Sequence, residues 1–271
     1  MTNLFHVTDK VVVVTGGLGQ LGRQFTLALL AQGARVAVFD TQADARRVQQ
    51  RFGASATNPR LLCVRVDVTR RASIEAAARR VQGRWGVPHA LVSCAAIDAP
   101  PDAPAAEHGL FESYPERAWD RALDVNLKGA VLCCQVIGGA MAKAGRGSII
   151  NIGSIYGLVS PDQRMYAYRR TRKSAFFKPV TYAVSKAGLV GLTKYLATYW
   201  AGRHVRVNTL SFGGVFNRQD PRFLKAYSAR VPLGRMARED EYNGAVIFLV
   251  SDASSYMTGA NLVIDGGWTA W

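Results

Sequence analysis

Cysteine and histidine are both scarce in this sequence, with four residues of each type among 271. The cysteines lack Cys-x-x-Cys spacing and the histidines stand singly, so neither a disulfide framework nor a metal site is indicated. No apolar run reaches eighteen residues, and residues 1–14 lack the basic start and apolar stretch of a secretory signal. We therefore expect a cytoplasmic protein with no metal and no membrane partner.

Acidic residues are also few: 34 lysines and arginines stand against 19 aspartates and glutamates, a formal net charge of +15. Such an excess can indicate a nucleic-acid partner or an anionic small molecule. The basic residues are spread along the chain and show no aromatic interleaving, so we expect no nucleic acid. The 49% of hydrophobic residues is enough for a sizeable core, and we expect one domain over residues 1–271.

Short β-branched runs alternate with helical patterns along the whole chain. Predicted strands cover residues 10–15, 33–40, 61–68, 90–93, 147–152, 205–210 and 261–267. This alternation predicts an α/β fold, with a doubly wound parallel sheet of about seven strands and helices on both faces. Ligands of such sheets bind beyond the carboxyl ends of the strands. The site should therefore lie at that edge.

A glycine-rich loop, residues 16–22, joins the first strand to a helical segment. Bare backbone N–H groups and a helix N-terminus together favour a phosphate group. Asp40 ends the second strand, where an acid can accept hydrogen bonds from ribose hydroxyls and would repel a 2′-phosphate. We therefore predict NAD, with NADP disfavoured. Asp40 could also cap the helix predicted to begin at Thr41.

Tyr182 and Lys186 are four residues apart in a helical pattern, which places both side chains on one helix face. A lysine beside a tyrosine favours the phenolate, so the pairing is expected to lower a pKa that is ordinarily near 10. Such a phenol is suited to alcohol oxidation or carbonyl reduction. The alternative is a half-buried tyrosine beside a solvated lysine, because this spacing is common.

Taken together, these motifs resemble the short-chain dehydrogenase/reductase family over essentially the whole chain, as one Rossmann-type domain. The matching positions are the glycine loop, Asp40, Asp67-Val68, Asn126, Ser154, Tyr182, Lys186 and Asp265-Gly266-Gly267. The resemblance implies that Tyr182 is the general acid/base and that Ser154 orients the substrate oxygen. It further implies that Lys186 holds the nicotinamide ribose and that Asn126 steadies a water near the lysine. Hydride then passes directly to or from the cofactor.

The resemblance also implies a set of binding residues and an assembly. A homotetramer or dimer is expected, in which the apolar tail 268–271 packs on a neighbour; the alternative is a tail docked on its own subunit. The implied substrate residues are Ser154, Gln163, Arg164 and Gly214. The implied cofactor residues are Gly16, Gly19, Gln20, Leu21, Asp40, Asp67, Val68, Ala95, Ala96, Tyr182, Lys186, Gly213 and Val215.

Three substitutions depart from the family pattern near the cofactor. Gln20 stands where the middle glycine is usual, so the backbone is expected to approach the cofactor less closely. The run from Ser93 to Ala96 replaces Asn-Asn-Ala-Gly, which removes the usual strand-stabilising side chains. Phe212 stands where proline is usual, near the nicotinamide end.

A fourth departure is an insert at residues 158–179, because the spacing from Ser154 to Tyr182 is about twice the usual one. The insert carries Arg164, Arg169, Arg170, Arg172, Lys173 and Lys178. Arginines here could bind a carboxylate or phosphate; alternatively, the insert is a solvated hairpin or a subunit contact. We also expect a proline-rich loop at 99–106 to overhang the site and residues 212–238 to form a substrate loop with short helices.

Within the family, residues 161–164, 240–244 and 267–271 resemble a subgroup encoded with bacterial surface-sugar pathways, including sialic-acid-like sugars. That resemblance implies an anionic sugar or nucleotide sugar as substrate. Acyl-carrier-protein ketoreductases and gluconate-type dehydrogenases share the same catalytic residues and stay open as alternatives. A non-catalytic nucleotide-sensing or scaffold protein of the same fold is a further alternative.

Overall fold

The computed structural model describes residues 3–98, 105–172 and 175–271. Residues 99–104 of the predicted overhanging loop, and Lys173 of the insert, lie outside the described residues. The strands are β1 (Val11–Thr15), β2 (Arg35–Asp40), β3 (Leu61–Arg65), β4 (Ala90–Ser93), β5 (Gly147–Ile152), β6 (Val205–Phe212) and β7 (Asn261–Ile264). The helices are α1 (Gln20–Ala31), α2 (Ala45–Phe52), α3 (Arg71–Trp85), α4 (Glu116–Leu123), α5 (Gly129–Cys133), α6 (Gly139–Lys143), α7 (Val180–Tyr199), α8 (Pro221–Ser228) and α9 (Asn243–Val250).

Short 3₁₀ helices occupy several of the connections between these elements. They are Gly53–Thr57, Ala105–His108, Phe111–Ser113, Ile155–Gly157, Gln163–Arg169, Ala201–Arg203 and Asp252–Ser254.

All seven strands pair in parallel, in the order β3-β2-β1-β4-β5-β6-β7. The chain starts at the sheet centre, winds outward to β3, returns to β4 and winds outward to β7. This doubly wound sheet confirms the predicted fold class. The order reverses between β1 and β4, so a crevice forms at their carboxyl ends.

Apolar side chains cover both faces of the sheet. One core lies against α3 and the α4–α6 region and includes Ile74, Ile137 and Met141, each at most 1% exposed. The other lies against α1 and α9 and includes Phe25 and Leu249, neither of them exposed. Burying one such side chain contributes about 1.5–3 kcal/mol. The two cores hold the sheet and the loops at its edge in fixed positions.

The sequence has helical patterns at residues 119–125 and 128–144 with Asn126 between them, and the structure joins them in one continuous helix from Glu116 to Lys143. Two π-helical turns, Asp124–Lys128 and Cys134–Gly138, join α4, α5 and α6. Asn126 lies in the first of these wider turns, which are frequent at functional sites. An 18-residue window of this helix has a mean hydropathy of 1.4, so by length and composition alone it could cross a membrane. Core helices pass the same test, and this helix supplies residues to the first core.

Three further predicted boundaries are wrong. The third strand ends at Arg65 rather than at residue 68. The second helix begins at Ala45, and its cap is Asp44, whose side chain accepts a hydrogen bond from the Arg47 N–H. Asp40 therefore does not cap it. The last strand ends at Ile264 rather than at residue 267.

A third apolar cluster lies outside the sheet and includes part of the insert. It joins Met165 of the insert, 2% exposed, to Tyr156, Tyr227, Met236 and Trp268. The solvated-hairpin alternative is therefore wrong for this part of the insert. Its packing fixes the insert beside the end of β5.

Candidate active site

A cleft of about 430 Å³ runs along the carboxyl edge of the sheet between β2 and β6. We call it the cofactor cleft. Its lining brings together residues that are far apart in the chain, because each follows or ends a parallel strand. It includes eleven of the predicted cofactor residues: Gly16, Gly19, Gln20, Leu21, Asp40, Asp67, Val68, Ala95, Ala96, Tyr182 and Lys186.

The glycine loop fits a pyrophosphate group. Gly16 has a φ of +63°, and a Cβ there would lie 2.8 Å from the Ala95 Cα. A Cβ on Gly22 would overlap with the Gly16 carbonyl oxygen and lie 2.8 Å from the Gly17 Cα. The N-cap of α1 is Gly19, with no side-chain cap and no acid in the first turn. The free N–H groups of this helix end therefore face the cleft as an anion site.

Gln20 has a role that its departure from the family pattern did not predict. Its Nε2 donates a hydrogen bond to the carbonyl oxygen of Phe216, at 3.0 Å. This contact joins the glycine loop to the segment after β6. Gln20 and Leu21 line both the cofactor cleft and the neighbouring substrate cleft.

Asp40 lines the cofactor cleft, where two backbone N–H groups hold its carboxylate. Its Oδ2 accepts from Leu18 at 3.1 Å and its Oδ1 from Gln42 at 3.0 Å. Beside it, Asp67 Oδ1 accepts from both the N–H and the hydroxyl of Thr69. These bonds orient the two carboxylates before any ligand arrives.

The run from Ser93 to Ala96 lacks the side chains of the usual Asn-Asn-Ala-Gly motif, but the Thr15 side chain contacts the backbone of this run. The Thr15 hydroxyl accepts hydrogen bonds from the N–H groups of Cys94, at 3.0 Å, and Ala95, at 3.1 Å. Phe212 extends β6 by pairing with Ile264 of β7, where a proline would lack the N–H. Both departures are therefore compatible with an intact cleft.

Three of the four predicted catalytic residues meet where the two clefts join: Lys186 lines the cofactor cleft, Ser154 lines the neighbouring substrate cleft and Tyr182 lines both. The Ser154 hydroxyl lies near the Tyr182 phenol and favours its ionised form. The buried Lys186 ammonium donates to the carbonyl oxygen of Ile152, at 2.7 Å. Asn126 is also buried, and its side chain forms two hydrogen bonds with the backbone of Ile97. Its Oδ1 accepts from the Ile97 N–H at 2.7 Å, and its Nδ2 donates to the Ile97 carbonyl oxygen at 2.9 Å.

The predicted lowering of the Tyr182 pKa by Lys186 is wrong for the protein without a cofactor. Burial, followed by the nearby Asp98 carboxylate, raises the pKa of Tyr182 to about 12, and the nearby Ser154 hydroxyl acts in the opposite direction. Burial also lowers the pKa of Lys186 to about 8. The Lys186 Nζ lies 5.7 Å from the Tyr182 ring centroid. The sequence argument considered the neighbouring charge but not the loss of water around both groups.

A second cleft of about 780 Å³ adjoins the first at Tyr182, and we call it the substrate cleft. Its lining includes the predicted residues Ser154, Gly213, Gly214 and Val215. The insert supplies one wall, with Tyr166, Tyr168, Arg169, Phe176 and Lys178. The predicted substrate segment supplies the facing wall, which includes Arg218, Asp220 and Phe223.

The other two predicted substrate residues are held elsewhere. The Gln163 side chain brackets the backbone of Lys178, accepting from its N–H at 2.8 Å and donating to its carbonyl oxygen at 3.2 Å. The Arg164 guanidinium is 83% exposed and is paired with Asp162. The structure gives both residues a bracing role within the insert and does not bring them to the cleft.

Several residues of the substrate cleft escaped the sequence prediction. Asp98 and His108 lie far from the catalytic motif in the chain, and only the fold brings them to it. The aromatic residues of the insert had one detectable signal, the doubled spacing between Ser154 and Tyr182. Trp268 of the tail stacks on Tyr227 with ring centroids 4.6 Å apart, so this residue docks on its own subunit.

Comparisons with known proteins agree with this architecture. A family model described as enoyl-(acyl carrier protein) reductase matches residues 19–269. A D-threitol dehydrogenase of Mycolicibacterium smegmatis is 36% identical, covering 98% of this chain and 95% of its own length. An NAD-dependent glycerol dehydrogenase of Listeria innocua is 32% identical, with 98% and 96% covered.

A solved structure gives the same result. A short-chain dehydrogenase from Leptospira borgpetersenii, determined with bound NAD⁺, has a TM-score of 0.83 at 32% identity, and the match covers 99% of this chain and 96% of that one. The clefts described above are suited to a nicotinamide cofactor and a small alcohol or ketone. The chain therefore belongs to the short-chain dehydrogenase/reductase family of nicotinamide-dependent oxidoreductases.

Proposed function

We propose that this protein is an NAD-dependent dehydrogenase that interconverts a secondary alcohol and a ketone on a polyol or sugar-like substrate. The observation that carries the proposal is the meeting of Ser154, Tyr182 and Lys186 where the two clefts join. The dehydrogenases of D-threitol and glycerol among the relatives support a polyhydroxylated substrate.

Each catalytic side chain has a distinct role in alcohol oxidation. When bound, the nicotinamide cofactor supplies the hydride acceptor. The phenolate form of Tyr182 takes the hydroxyl proton and becomes the phenol, while Ser154 holds the substrate oxygen beside it. Lys186, fixed on the Ile152 carbonyl, places a positive charge near that phenolate and would hold the nicotinamide ribose. Reduction of the ketone reverses these proton movements.

Asp40 supports a preference for NAD. Its carboxylate is oriented by the Leu18 and Gln42 N–H groups in the cofactor cleft. There it can accept hydrogen bonds from the ribose hydroxyls, and it would repel a 2′-phosphate. We propose a preference for NAD over NADP of at least about tenfold, roughly 1.4 kcal/mol.

An unpaired cation at the rim of the substrate cleft supports an anionic substrate. Asp98 and Asp220 already form ion pairs, with Lys178 and Arg222. Arg218 is exposed, lines the cleft and has no ion pair or hydrogen bond within the described parts of the chain. A carboxylate or phosphate on the substrate would therefore meet an available guanidinium. This supports a sugar acid or nucleotide sugar, as the surface-sugar resemblance implies.

We also propose a cytoplasmic homotetramer or dimer. The location rests on the sequence features alone. The assembly is supported by exposed aromatic residues, since Tyr195 and Tyr199 stack on one face of α7 and are 63% and 65% exposed. Trp271 is 81% exposed and could contact a neighbouring copy. A monomer in light scattering would contradict the proposed assembly.

The central test is the Tyr182→Phe variant. We expect turnover with NAD⁺ and a panel of polyols and sugar acids to fall by about 10²–10⁴-fold, because the acid/base is lost. Binding of NADH, measured by nicotinamide fluorescence, should change little, since Phe keeps the ring. Retained turnover in Tyr182→Phe would refute the proposed function. If the unsubstituted protein does not bind NADH, a non-catalytic role is favoured.

Cofactor choice is tested with Asp40→Asn, which keeps the side-chain shape and removes the charge. We expect the ratio of NADPH to NADH affinity to rise about tenfold, because repulsion of the 2′-phosphate is removed. The two dissociation constants are measured by fluorescence for the variant and for the unsubstituted protein. Equal affinities in the unsubstituted protein would refute the role of Asp40.

A further inference from the structure

A second lysine lies against the catalytic tyrosine, and it comes from the insert. The Lys178 Nζ is 4.6 Å from the Tyr182 ring centroid, whereas the Lys186 Nζ is 5.7 Å away. The same ammonium forms an ion pair with Asp98, which follows β4. The Lys178 side chain is 15% exposed, so water screens its charge only in part.

The insert holds this lysine in place through its backbone. The Gln163 amide brackets the Lys178 N–H and carbonyl groups. Arg170 donates to the carbonyl oxygens of Gln163, at 2.7 Å, and Phe176, at 3.0 Å. The Phe177 N–H donates to His108 at 2.8 Å. Five hydrogen bonds therefore hold Gln163 and the backbone of residues 176–178, which precede α7.

We propose that Lys178 is a positioning residue for the reaction at Tyr182, and that its ammonium, shared with Asp98, stabilises the phenolate form of the catalytic ring. A cation over an aromatic face is attracted to the ring, and the attraction grows when the ring carries a negative charge. The carboxylate of Asp98 opposes this effect. The inference rests on the proposed acid/base role of Tyr182.

The other groups near the ring act from different elements. Lys186 belongs to the same helix as Tyr182, and Ser154 follows β5 and its hydroxyl lies near the phenol. The Cys94 thiol follows β4, and burial raises its pKa to about 11, so it stays neutral near pH 7. The phenols of Tyr156 and Tyr166 are also near and stay neutral, because burial raises the pKa of each. Among the described residues, Asp98, Lys178 and Lys186 are thus the charged groups that face the Tyr182 ring.

The two members of the ion pair should have opposite effects. Asp98→Asn removes the opposing charge, so Tyr182 should ionise at lower pH. The double variant Asp98→Asn/Lys178→Met differs from Asp98→Asn only at the lysine. The pH midpoint of Tyr182 ionisation should therefore be about one unit higher in the double variant. Lys178→Arg should stay close to the unsubstituted protein, because the cation is kept.

The ionisation can be measured without turnover, by the tyrosinate absorbance of the NAD⁺ complex after subtraction of the Tyr182→Phe spectrum. The pH profile of alcohol oxidation supplies the second readout, whose rising limb should move in the same direction as the spectroscopic midpoint. Lys10→Met is a matched control, since Lys10 forms an ion pair with Asp252 and its side chain is 19% exposed, away from both clefts.

The spectroscopic result separates the two proposals. If Asp98→Asn and Asp98→Asn/Lys178→Met share one midpoint while both remain folded, Lys178 has no effect on Tyr182 and the inference is overturned. The inference is also overturned if Lys10→Met shifts the midpoint of Tyr182 ionisation as far as Lys178→Met does in the Asp98→Asn background. If instead the midpoints separate as expected but Tyr182→Phe still turns over, the electrostatic inference stands and the proposed catalytic role of the tyrosine fails.

Discussion

The two halves of the carboxyl edge are built in different ways. The cofactor half, residues 11–97, makes its close contacts with the backbone. Its glycine loop packs where a Cβ would overlap, and Thr15 ties that loop to the end of β4 through backbone N–H groups. The substrate half, residues 155–179 and 213–238, relies on side chains. Tyr166 packs on Phe223 at 5.4 Å between ring centroids, and Arg230 bonds Asp162 at 2.8 Å.

This difference shows how one sheet can accept one cofactor and many substrates. Backbone contacts tolerate little change, because a main-chain atom cannot be repositioned without moving the strand that carries it. Side-chain contacts can be replaced one at a time while the sheet stays the same. We expect substitutions in the cofactor half to weaken cofactor binding sharply and those in the substrate half to have graded effects on KM.

The largest effect is expected for Gly22→Ala in the cofactor half. The new Cβ would overlap with the Gly16 carbonyl oxygen and contact the Gly17 Cα, both of them backbone atoms. We expect about 1–3 kcal/mol of destabilisation and roughly hundredfold weaker NADH binding, because the displaced loop no longer fits the pyrophosphate. Denaturant unfolding and nicotinamide fluorescence measure the two effects.

Gly244→Ala is the matched control for this substitution. Gly244 lies in α9 and is exposed, and a Cβ there meets nothing within 4 Å. Alanine should be neutral or stabilise the helix by up to about 1 kcal/mol. Equal losses of NADH binding in the two variants would show that the tight packing at Gly22 is not what holds the loop.

A smaller effect is expected in the substrate half from Arg230→Met. Arg230 and Arg164 both bond the Asp162 carboxylate, but only Arg230 reaches it from the facing wall. Removing this link should lower the free energy of unfolding by about 1–2 kcal/mol, because the pair is only partly buried. It should also raise KM for the substrate with little change in NADH affinity.

Arg164→Met supplies the comparison on the same carboxylate. The Arg164 side chain is 83% exposed and its contact with Asp162 is local, so its loss should change stability by less than about 0.5 kcal/mol. If the two arginine variants lose equal stability, or if Arg230→Met weakens NADH binding as much as substrate binding, the two halves are not independent.

The sequence predicted the cofactor half well because its signals are local. The β-branched run before Gly16, the glycines themselves and the acid at Asp40 all lie within one strand-helix-strand unit. The error there concerns two nearby acids that could each cap the second helix. Asp44 caps it, and Asp40 does not.

The substrate half was less predictable because its contacts are distant in the chain. Asp98 and Lys178 are 80 positions apart, and no local pattern links them. The insert was recognised from spacing, but its charges alone could not show that Arg164 faces solvent while Lys178 faces Tyr182. The Tyr182 pKa was mispredicted for a related reason, because burial depends on the whole fold.

The two halves should also respond to acid in different pH ranges. In the substrate half, ion pairing lowers the pKa of Asp162 and Asp220, the latter to about 2. In the cofactor half, burial lowers the pKa of His89 from 6.5 to about 4, and its Nδ1 accepts a hydrogen bond from the Val11 N–H at 3.0 Å. The carboxylate contributions are lost only below about pH 4. The histidine contribution is lost in a higher pH range, as the pH falls from 6.5 toward 4.

The last expected effect depends on pH and comes from His89→Asn, which keeps an acceptor for Val11 and removes the titration. A lowered pKa means that the folded state favours the neutral imidazole, so its contribution is full above pH 6.5 and disappears as the pH falls toward 4. Because the ring is only partly buried, we expect about 1–2 kcal/mol over this range. Denaturant unfolding at several pH values should show a flatter profile for His89→Asn, while His204→Asn, at an exposed left-handed position, should keep the original slope. An unchanged slope in His89→Asn would place the acid sensitivity of this range outside the cofactor half.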